Sequence, residues 1–351
     1  MTLKKRFACG ITALSLAAVC GCANKKKDSA AQETKTEPAP PFSALGEVVE
    51  GRRDIYVIVK NMESSYWKAI IQGAEDAGAL YDCNIYLSGS YAETDWESQE
   101  RLMDEALAAG ADALVLAPND SVKLSAKIDE VYDSGLPVIF IDTVANTNSY
   151  DICYMTDNLM AGQQAAEEML YQLRGRGLDE NSPLLVGIQV GSTSSQTINE
   201  RLAGFSQYWN NNAPEGWEII SDIKCNEGNA DKAVDCANEL IDEYPEVKGV
   251  FGSNNGSTAG FAKVVKERGR TDITVVGFDY SDSIADLIAS EDYSAATMIQ
   301  RQYDMALLGV QAALSILDGG SYEVKFVDTG IAVVNGENIE TPEIQQLLEH
   351  N

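Results

Sequence analysis

The sequence predicts an α/β protein with two similar lobes, each built on a doubly wound parallel sheet. Short apolar runs alternate with segments of helical periodicity, which is typical of right-handed βαβ units. Runs such as Ala113–Leu116 are apolar at every position, as expected for strands that helices cover on both faces. The roughly 300 residues after the N-terminal region exceed what one hydrophobic core comfortably serves, so we expect two lobes.

The chain begins with a basic stretch and a short apolar run over residues 7–19. The apolar run is shorter than the roughly 20 residues of a membrane-spanning helix, and this order of segments is typical of a secretory signal peptide. The sequence Val19-Cys20-Gly21-Cys22 resembles a bacterial lipobox, with Cys22 as the lipidated residue. Cys20 is a poorer candidate because the bulky Val19 precedes it. We expect residues 1–21 to be cleaved and Cys22 to carry the lipid; the alternative is an ordinary signal peptide with incidental cysteines.

Residues 22–53 offer almost no apolar face to bury. Lys, Asp, Ser, Ala, Gln, Glu, Thr and Pro dominate this stretch, and such a composition is typical of disorder. We therefore expect a disordered tether that holds a folded body off the membrane, with the lipid as its only attachment. We also expect this body to act as a monomer.

The mature chain is strongly acidic. Six of the 26 basic residues and none of the 54 acidic residues precede Asp28, so residues 28–351 carry a net charge of −34. Such a body is repelled by nucleic acid and by anionic membrane surfaces. Nucleic-acid binding is therefore excluded.

The composition also argues against catalysis. The single histidine, His350, lies next to the C-terminus, which excludes Ser–His, Cys–His and histidine–metal chemistry. There is no Walker A loop and no Cys-x-x-Cys spacing. We expect no enzyme activity, no cofactor and no metal. Cys225 and Cys236 could pair, but isolated buried thiols are the expectation.

The elements of the first half follow the alternation in order. The predicted strands and helices, in turn, are Ile55–Val59, Tyr66–Ala79, Asn84–Leu87, Trp96–Ala109, Ala113–Leu116, Ser121–Ser134 and Val138–Ile141. A break at about Asp151–Gln163 separates this half from a second one of the same kind.

The second half repeats the pattern and then changes rhythm. Its predicted elements are Leu184–Val190, Ser195–Trp209, Trp217–Ile223, Ala230–Glu243, Gly249–Phe251, Ser257–Arg268, Thr274–Val276, Ser283–Ala289 and Ala295–Gln300. The segment Arg301–Leu317 then precedes two short strands, Glu323–Val327 and Gly330–Val334. This ending indicates a chain that crosses back between the lobes. A ligand crevice is expected where the carboxyl ends of the two sheets face each other.

Polar and aromatic residues collect at these strand ends. Planar polar side chains offer fixed donors and acceptors to neighbouring sugar hydroxyls, and aromatic rings cover the C–H faces of a sugar ring. A turn or a helix cap explains any one of these residues alone, but not their repetition at the same ends of parallel strands. The candidate binding residues are Ser64, Tyr66, Trp67, Asp142, Asn199, Arg201, Asn254, Phe278, Asp279 and Gln300.

Several of these segments resemble one family. In order along the chain they are Ile139-Phe140-Ile141-Asp142, Thr156-Asp157-Asn158, Glu200–Phe205, Val250–Asn254, Val275–Asp279 and Ala296–Gln300. Over nearly all of residues 54–349 the chain is similar to periplasmic sugar-binding proteins of the ribose/galactose-binding, type I group. These are the substrate-binding subunits of ABC transporters.

The resemblance implies a fold, a site and a partner. It implies an N-terminal lobe made of residues 54–156 and 301–329, and a C-terminal lobe made of residues 157–300 and 330–349. The two lobes would be joined by a hinge of three segments and would close over the ligand. It also implies ligand contacts by Asp142, Asn254, Asp279 and Gln300, with Tyr66, Trp67 and Phe278 as walls. The partners implied are a sugar, expected to be a monosaccharide, and the membrane subunits of an ABC permease.

The chain departs from the family pattern at three positions. Thr143 and Asn199 stand where an arginine often reaches the sugar, and Ala117 stands where an asparagine is common. Arg201 fits a structural role as well as a binding role. Losing two guanidinium groups removes much of the usual bidentate recognition, so the identity of the sugar stays open.

Two other readings share the same body. A sugar-responsive repressor needs an N-terminal helix-turn-helix and a basic face, and a signal peptide occupies that position here. A lipoprotein that presents its ligand to a sensor kinase or chemoreceptor would look identical, because either partner recognises the closed lobes. Neighbouring permease and ATPase genes, or a neighbouring kinase gene, would separate the last reading from import.

Overall fold

The computed structural model describes residues 39–64 and 66–349. The predicted signal peptide, Cys22 and the first part of the predicted tether lie outside these residues. Within them, no helix combines the length and the apolar character needed to cross a membrane.

Strands and helices alternate along the whole described chain. The first series is β1 (Ser43–Leu45), β2 (Asp54–Val59), α1 (Tyr66–Leu80), β3 (Asn84–Gly89), α2 (Trp96–Ala109), β4 (Ala113–Leu116), α3 (Ser125–Asp133), β5 (Val138–Ile141) and β6 (Ile152–Met155). The second series is α4 (Asn158–Gly175), β7 (Leu184–Val190), α5 (Gln196–Asn212), β8 (Trp217–Ile219), β9 (Lys224–Cys225), α6 (Ala230–Glu243), β10 (Gly249–Gly252), α7 (Asn255–Glu267), β11 (Thr274–Phe278), α8 (Asp282–Ile288) and β12 (Ser294–Gln300). The C-terminal elements are α9 (Gln302–Leu317), β13 (Phe326–Asp328), β14 (Ile331–Asn335) and α10 (Pro342–Leu348).

These strands form two separate sheets, which confirms the predicted fold class. The N-terminal sheet has the order β1-β3-β2-β4-β5-β6-β13, and only β1 runs antiparallel to its neighbour. The C-terminal sheet has the order β14-β12-β11-β10-β7-β8, with β9 also on β7 and only β14 antiparallel. We call the N-terminal sheet with its helices the N-lobe, and the C-terminal sheet with its helices the C-lobe.

Local chemistry fixes where the elements begin and end. Asp95 precedes α2 and accepts a hydrogen bond from the amide of Ser98, while Gly110 ends the helix in the left-handed conformation. Strand β4 is buried at every position because helices cover both faces of its sheet. Separate apolar cores therefore fill the two faces of the N-terminal sheet, and two more fill those of the C-terminal sheet.

The chain crosses between the lobes three times: after β6, after β12 and after β13. Two hydrogen bonds join the first and third crossings. The Asp328 carboxylate accepts from the Asp157 amide at 2.9 Å, and the Thr329 amide donates to the Met155 carbonyl at 3.0 Å.

The N-terminal boundary of the folded body corrects the predicted tether. Residues 22–53 were expected to be disordered, but β1 pairs with β3 from Ser43↔Leu87 to Leu45↔Ile85. The Phe42 ring packs edge-on against Tyr56, with ring centres 4.7 Å apart. One aromatic residue and three strand positions are enough to dock this segment on the edge of the N-terminal sheet.

Several elements were not predicted. Strand β6 lies inside the segment interpreted as a break, helix α4 begins inside it and extends to Gly175, and α10 lies beyond the last predicted strand. Small residues such as Ala161 and Ala165 face the sheet from α4, so this helix lacks the strong apolar contrast that marks the others. The described cysteines, Cys83, Cys153, Cys225 and Cys236, are free thiols in the structure.

Candidate ligand-binding site

The carboxyl ends of the two sheets contribute side chains to a shared crevice. Tyr66, at the start of α1 in the N-lobe, lies close to Asp142 of its own lobe and within electrostatic range of Asp279 and Arg201 of the C-lobe. Burial, followed by the two carboxylates, raises the pKa of Tyr66 well above its ordinary value. The phenol therefore stays protonated and acts as a donor.

Asp142 is the centre of the N-lobe half of the site. Its carboxylate accepts from Tyr66 Oη at 2.5 Å, from Thr143 Oγ1 at 2.7 Å, and pairs with Lys60 Nζ at 2.7 Å. Burial alone would raise the pKa of Asp142, but the Lys60 ammonium and these hydrogen bonds hold it below its ordinary value. Asp142 is therefore a fixed anion.

Asp279 holds the corresponding position in the C-lobe and forms no ion pair with any residue that the structure describes. Its carboxylate accepts from Gln300 Nε2 at 2.7 Å and from the Asn255 amide at 3.0 Å. Burial raises the pKa of Asp279 to about 6, although Arg201 and Gln300 act in the opposite direction. Its charge thus changes close to physiological pH.

Gln300 connects this carboxylate to the hinge. It ends β12, is 2 % exposed, and its Oε1 accepts from Thr156 Oγ1 at 3.0 Å while its amide donates to Asp279. Thr156 lies at the first crossing between the lobes. A ligand that disturbs Asp279 would therefore act on the hinge through one intervening side chain.

Arg201 is buried beneath the C-lobe half of the site. Its Nε donates to Asn158 Oδ1 at 2.8 Å and its Nη1 to the Ser253 carbonyl at 2.9 Å. The guanidinium carbon lies 4.0 Å from the centre of the Phe278 ring. Two hydrogen bonds and one ring face thus fix the plane of the guanidinium.

Two of the three aromatic residues predicted as walls of the site are buried. Phe278 is fully buried, and Arg201 covers one face of its ring. Trp67 is 1 % exposed and packs against Tyr66 and Lys60. Tyr66 is the one of the three that is partly exposed, and its hydroxyl points to Asp142.

The remaining candidates occupy the rim. Asn254 caps α7, with its Oδ1 accepting from Ser257 Oγ at 2.6 Å. The Ser64 carbonyl accepts from the Trp67 amide at the start of α1. Asn199 is exposed, and its amide donates to the Thr193 carbonyl, so no hydrogen bond joins it to the charged cluster in the described chain.

Two charged residues of the crevice were missed. Lys60 directly follows β2, and Glu93 lies in the loop after β3, so both obey the same strand-end rule that found Asp142. Burial raises the pKa of Glu93 above its ordinary value, while the neighbouring Lys60 lowers it in part. Thr143 stands where the family often has an arginine, and Lys60 supplies a cation beside Asp142 instead.

The other departure near the third strand is structural. Ala117 is fully buried, and its carbonyl accepts from Gln99 Nε2 at 2.8 Å. The nearby Asn119 donates to Ser90 Oγ at 3.0 Å and so braces the loop after β3. Within the described residues, no group of three or more His, Cys, Asp or Glu side chains could hold a metal ion.

A family model described as a periplasmic binding protein domain matches residues 55–321. The chain is 25% identical over 291 residues to the D-ribose/D-allose-binding protein of Pseudomonas aeruginosa, an alignment that covers 81% of this chain and 88% of that protein. It is 24% identical over 267 residues to the D-apiose import binding protein of Actinobacillus succinogenes, covering 76% and 83%.

A solved structure shows the same architecture. The carbohydrate transporter solute binding protein from Agrobacterium radiobacter, in complex with D-arabinose, superposes with a TM-score of 0.80 at 28% identity. The match covers 85% of this chain and 99% of that one. A D-fucose-bound solute binding protein from Agrobacterium vitis matches with a TM-score of 0.75 at 25% identity.

Proposed function

Because this chain belongs to the family of periplasmic binding protein domains, we propose that it captures a sugar outside the cytoplasm and hands it to an ABC-type permease. The relatives named above bind ribose, allose, apiose or arabinose, which supports a monosaccharide or a related polyol as the ligand. The permease subunits are then the membrane partner.

Two buried carboxylates, one from each lobe, carry this proposal. Asp142 and Asp279 are 6 % and 3 % exposed and are surrounded by amide, hydroxyl and ammonium donors. A carboxylate has about four acceptor sites, and these neighbours leave some of them free for ligand hydroxyls. A sugar presents several hydroxyls in fixed directions and is the class of ligand that such a pair recognises well.

Closure of the lobes is the mechanism. The sugar binds one lobe first, and residues of the other lobe then complete its hydrogen bonds. Because the closed form binds the ligand more tightly, the ligand stabilises the closed form relative to the open form. The moving bodies are residues 54–156 plus 301–329, together with β1, and residues 157–300 plus 330–349. The permease recognises the closed arrangement.

The sugar leaves chemically unchanged. Lys60 and Gln300, two donors in the crevice, are already paired with Asp142 and Asp279. The protein binds the ligand and releases it without converting it. Incubation of the protein with a bound sugar, followed by chromatography of the released material, tests this directly. A new product that accumulates with time would overturn it.

A thermal-shift screen of residues 23–351 tests the binding function. The protein is unfolded and refolded to remove any ligand carried through purification, then screened against monosaccharides, alditols, inositols and short oligosaccharides. A ligand at about a thousand times its dissociation constant stabilises the folded state by about 4 kcal/mol, which means several degrees in Tm. Absence of any shift across the panel would overturn the assignment of a simple sugar.

The anchor is a lipid on Cys22. The lipobox-like segment supports this assignment. Expression of the full chain with a radiolabelled fatty acid should label the protein, and Cys22→Ser should abolish the label while Cys20→Ser keeps it. Equal labelling of both variants would contradict the assignment, and light scattering on residues 23–351 tests the expected monomer.

A further inference from the structure

Thr258, the fourth residue of α7, lies behind the C-lobe half of the crevice. It is 1 % exposed and packs against the ends of β10 and β11. A Cβ built on Gly277 would lie 2.2 Å from Thr258 Oγ1, and one built on Gly252 would lie 2.5 Å from the Thr258 amide nitrogen. A side chain at either glycine would therefore displace the threonine, which is itself too buried to touch a ligand.

The hydroxyl of Thr258 completes the hydrogen bonding at the end of β11. The pairing of β10 with β11 ends at Gly252 and Gly277, so the next residue, Phe278, has passed the end of β10. The Phe278 amide donates instead to Thr258 Oγ1 at 2.9 Å, and this hydroxyl donates in turn to the Asn254 carbonyl at 2.9 Å. A side chain from a helix thus takes the place of a strand partner.

This hydrogen bond holds the residue directly before Asp279. The backbone of Asp279 is left-handed, with φ of 69°, a conformation that residues other than glycine rarely adopt. Its amide donates to the Met298 carbonyl at 2.9 Å, and its carbonyl accepts from Thr297 Oγ1 at 2.7 Å. Such a conformation persists when its surroundings fix it, and Thr258 and Thr297 do so from the two sides.

The same hydroxyl sets the place of the Asp279 carboxylate against α7. The Asn255 amide, at the start of α7, donates to this carboxylate at 3.0 Å. The bond from Phe278 to Thr258 joins the helix and the strand a second time, one turn further along α7. Lys60 fixes Asp142 in the N-lobe through an ion pair, whereas hydrogen bonds position Asp279.

We propose that Thr258 is a positioning residue of the binding site, whose hydroxyl holds the Asp279 carboxylate where the ligand requires it. The threonine acts through Asp279 and not by contact with the ligand. Gly252 and Gly277 serve the same end, because they leave the space that the threonine fills. This inference rests on the proposed function, since the place of Asp279 matters for affinity when Asp279 contacts the ligand.

Calorimetric titration of residues 23–351 with every member of the thermal-shift panel, D-ribose, D-allose and D-arabinose among them, tests the hydroxyl. For each compound that binds the unaltered protein, Thr258→Val and Thr258→Ala should weaken binding by about tenfold. The reason is that the Phe278 amide loses its acceptor and the backbone before Asp279 must move to find another. Thr258→Ser keeps the hydroxyl and should stay within about threefold of the unaltered protein. Thr258→Ala adds no bulk, so it tests the inference even where Thr258→Val does not fold.

Thr274→Val is the matched control. Thr274 begins the same strand, β11, is fully buried, and its hydroxyl donates to Ser294 Oγ at 3.2 Å. The change removes a buried hydroxyl at the end of the strand away from the crevice and should alter affinity by less than about twofold. An equal loss of affinity in Thr274→Val and Thr258→Val would overturn the positioning role.

A double-mutant cycle shows whether Thr258 acts through Asp279. If it does, Thr258→Val should weaken binding by less than about twofold in the Asp279→Ala background, because the side chain that it positions is already gone. An undiminished effect in that background, or unchanged affinity in both Thr258→Val and Thr258→Ala, would overturn this inference alone. Failure of the unaltered protein to bind any member of the panel would overturn the proposed function, and this inference with it.

Discussion

Asp142 and Asp279 are equivalent residues of the two lobes. Asp142 directly follows β5 and Asp279 directly follows β11, and each of these strands pairs with the next strand of its sheet, β6 or β12. Both residues have a left-handed backbone, with φ of 64° and 69°. Their amides make the same hydrogen bond to the next strand, to the Tyr154 carbonyl at 3.0 Å and the Met298 carbonyl at 2.9 Å. Their surroundings differ, since Lys60 pairs with Asp142 only. The same backbone position therefore carries two carboxylates of opposite pKa shift.

This difference predicts the pH dependence of binding. Ligand hydroxyls donate to an ionised carboxylate, and Asp279 has a pKa of about 6 because burial disfavours its charge. As the pH falls through this value, Asp279 takes up a proton and loses acceptor sites, so affinity should fall between pH 7 and pH 5. Calorimetry across this range should show the decline in the unaltered protein and in Asp142→Asn, whose own binding is weaker at every pH. A decline that persists in Asp279→Asn would contradict the assignment.

Lys60 should be required for the stability of the free protein. Removal of one partner leaves Asp142 as an uncompensated buried charge, which typically costs about 3–5 kcal/mol. We expect Lys60→Met to lower the free energy of unfolding by this order in urea at pH 7. The matched control is Lys266→Met, which breaks an exposed pair with Asp286 and should cost less than about 1 kcal/mol. Equal effects of the two changes would show that the Lys60 pair is not buried in solution.

The contact between Glu93 and Gly228 predicts a cross-link between the lobes. The 3.6 Å separation of their Cβ positions lies within the range of about 3.5–4.5 Å found in disulfides. Oxidised Glu93→Cys/Gly228→Cys should therefore form a bond that peptide mapping identifies, and a bound sugar should speed its formation by favouring the closed lobes. Glu97→Cys/Gly228→Cys serves as the control and should not cross-link. A cross-link that forms equally fast without sugar and with saturating sugar would argue against ligand-dependent closure.

Close packing of α4 on α5 predicts opposite effects of two glycine changes in one helix. A Cβ at Gly162 would lie 2.1 Å from the Arg201 carbonyl oxygen, whereas nothing lies within 4 Å of that position at Gly175. Gly162→Ala should destabilise the protein by about 1–3 kcal/mol through overpacking. Gly175→Ala should stabilise it by about 0.5–1 kcal/mol, because alanine restricts the unfolded chain. Thermal unfolding should separate the two, and a stabilising Gly162→Ala would contradict the helix contact.

Sequence patterns predicted the fold class because its signals are local. Strands such as Val138–Ile141 are apolar throughout, and a charged residue that ends such a strand must be paired or must face the crevice. That argument identifies Asp142 from the sequence alone. Asp279 also follows a buried strand, and the resemblance implies ligand contacts for both residues.

The accessibility of the aromatic rings could not be read from sequence. Whether Phe278 is open depends on Arg201, which arrives from a helix 77 positions earlier in the chain. Trp67 is covered in the same way by Lys60, from the end of another strand. Lys60 itself was overlooked because a lysine after a strand is ordinary turn chemistry until its partner, Asp142, is known.

Strand β1 changes the mechanics of anchoring. A lipid on Cys22 would be joined to the folded body at Ser43 instead of residue 54. The greatest distance that the connecting chain could span is then about 75 Å instead of about 115 Å. The connecting chain would reach the N-terminal sheet at the edge formed by β1, and β13, beside the hinge, forms the opposite edge. In the proposed anchoring, a pull from the membrane would act on the N-lobe at the edge of its sheet opposite β13 and would reach the C-lobe only through the crossings between the lobes.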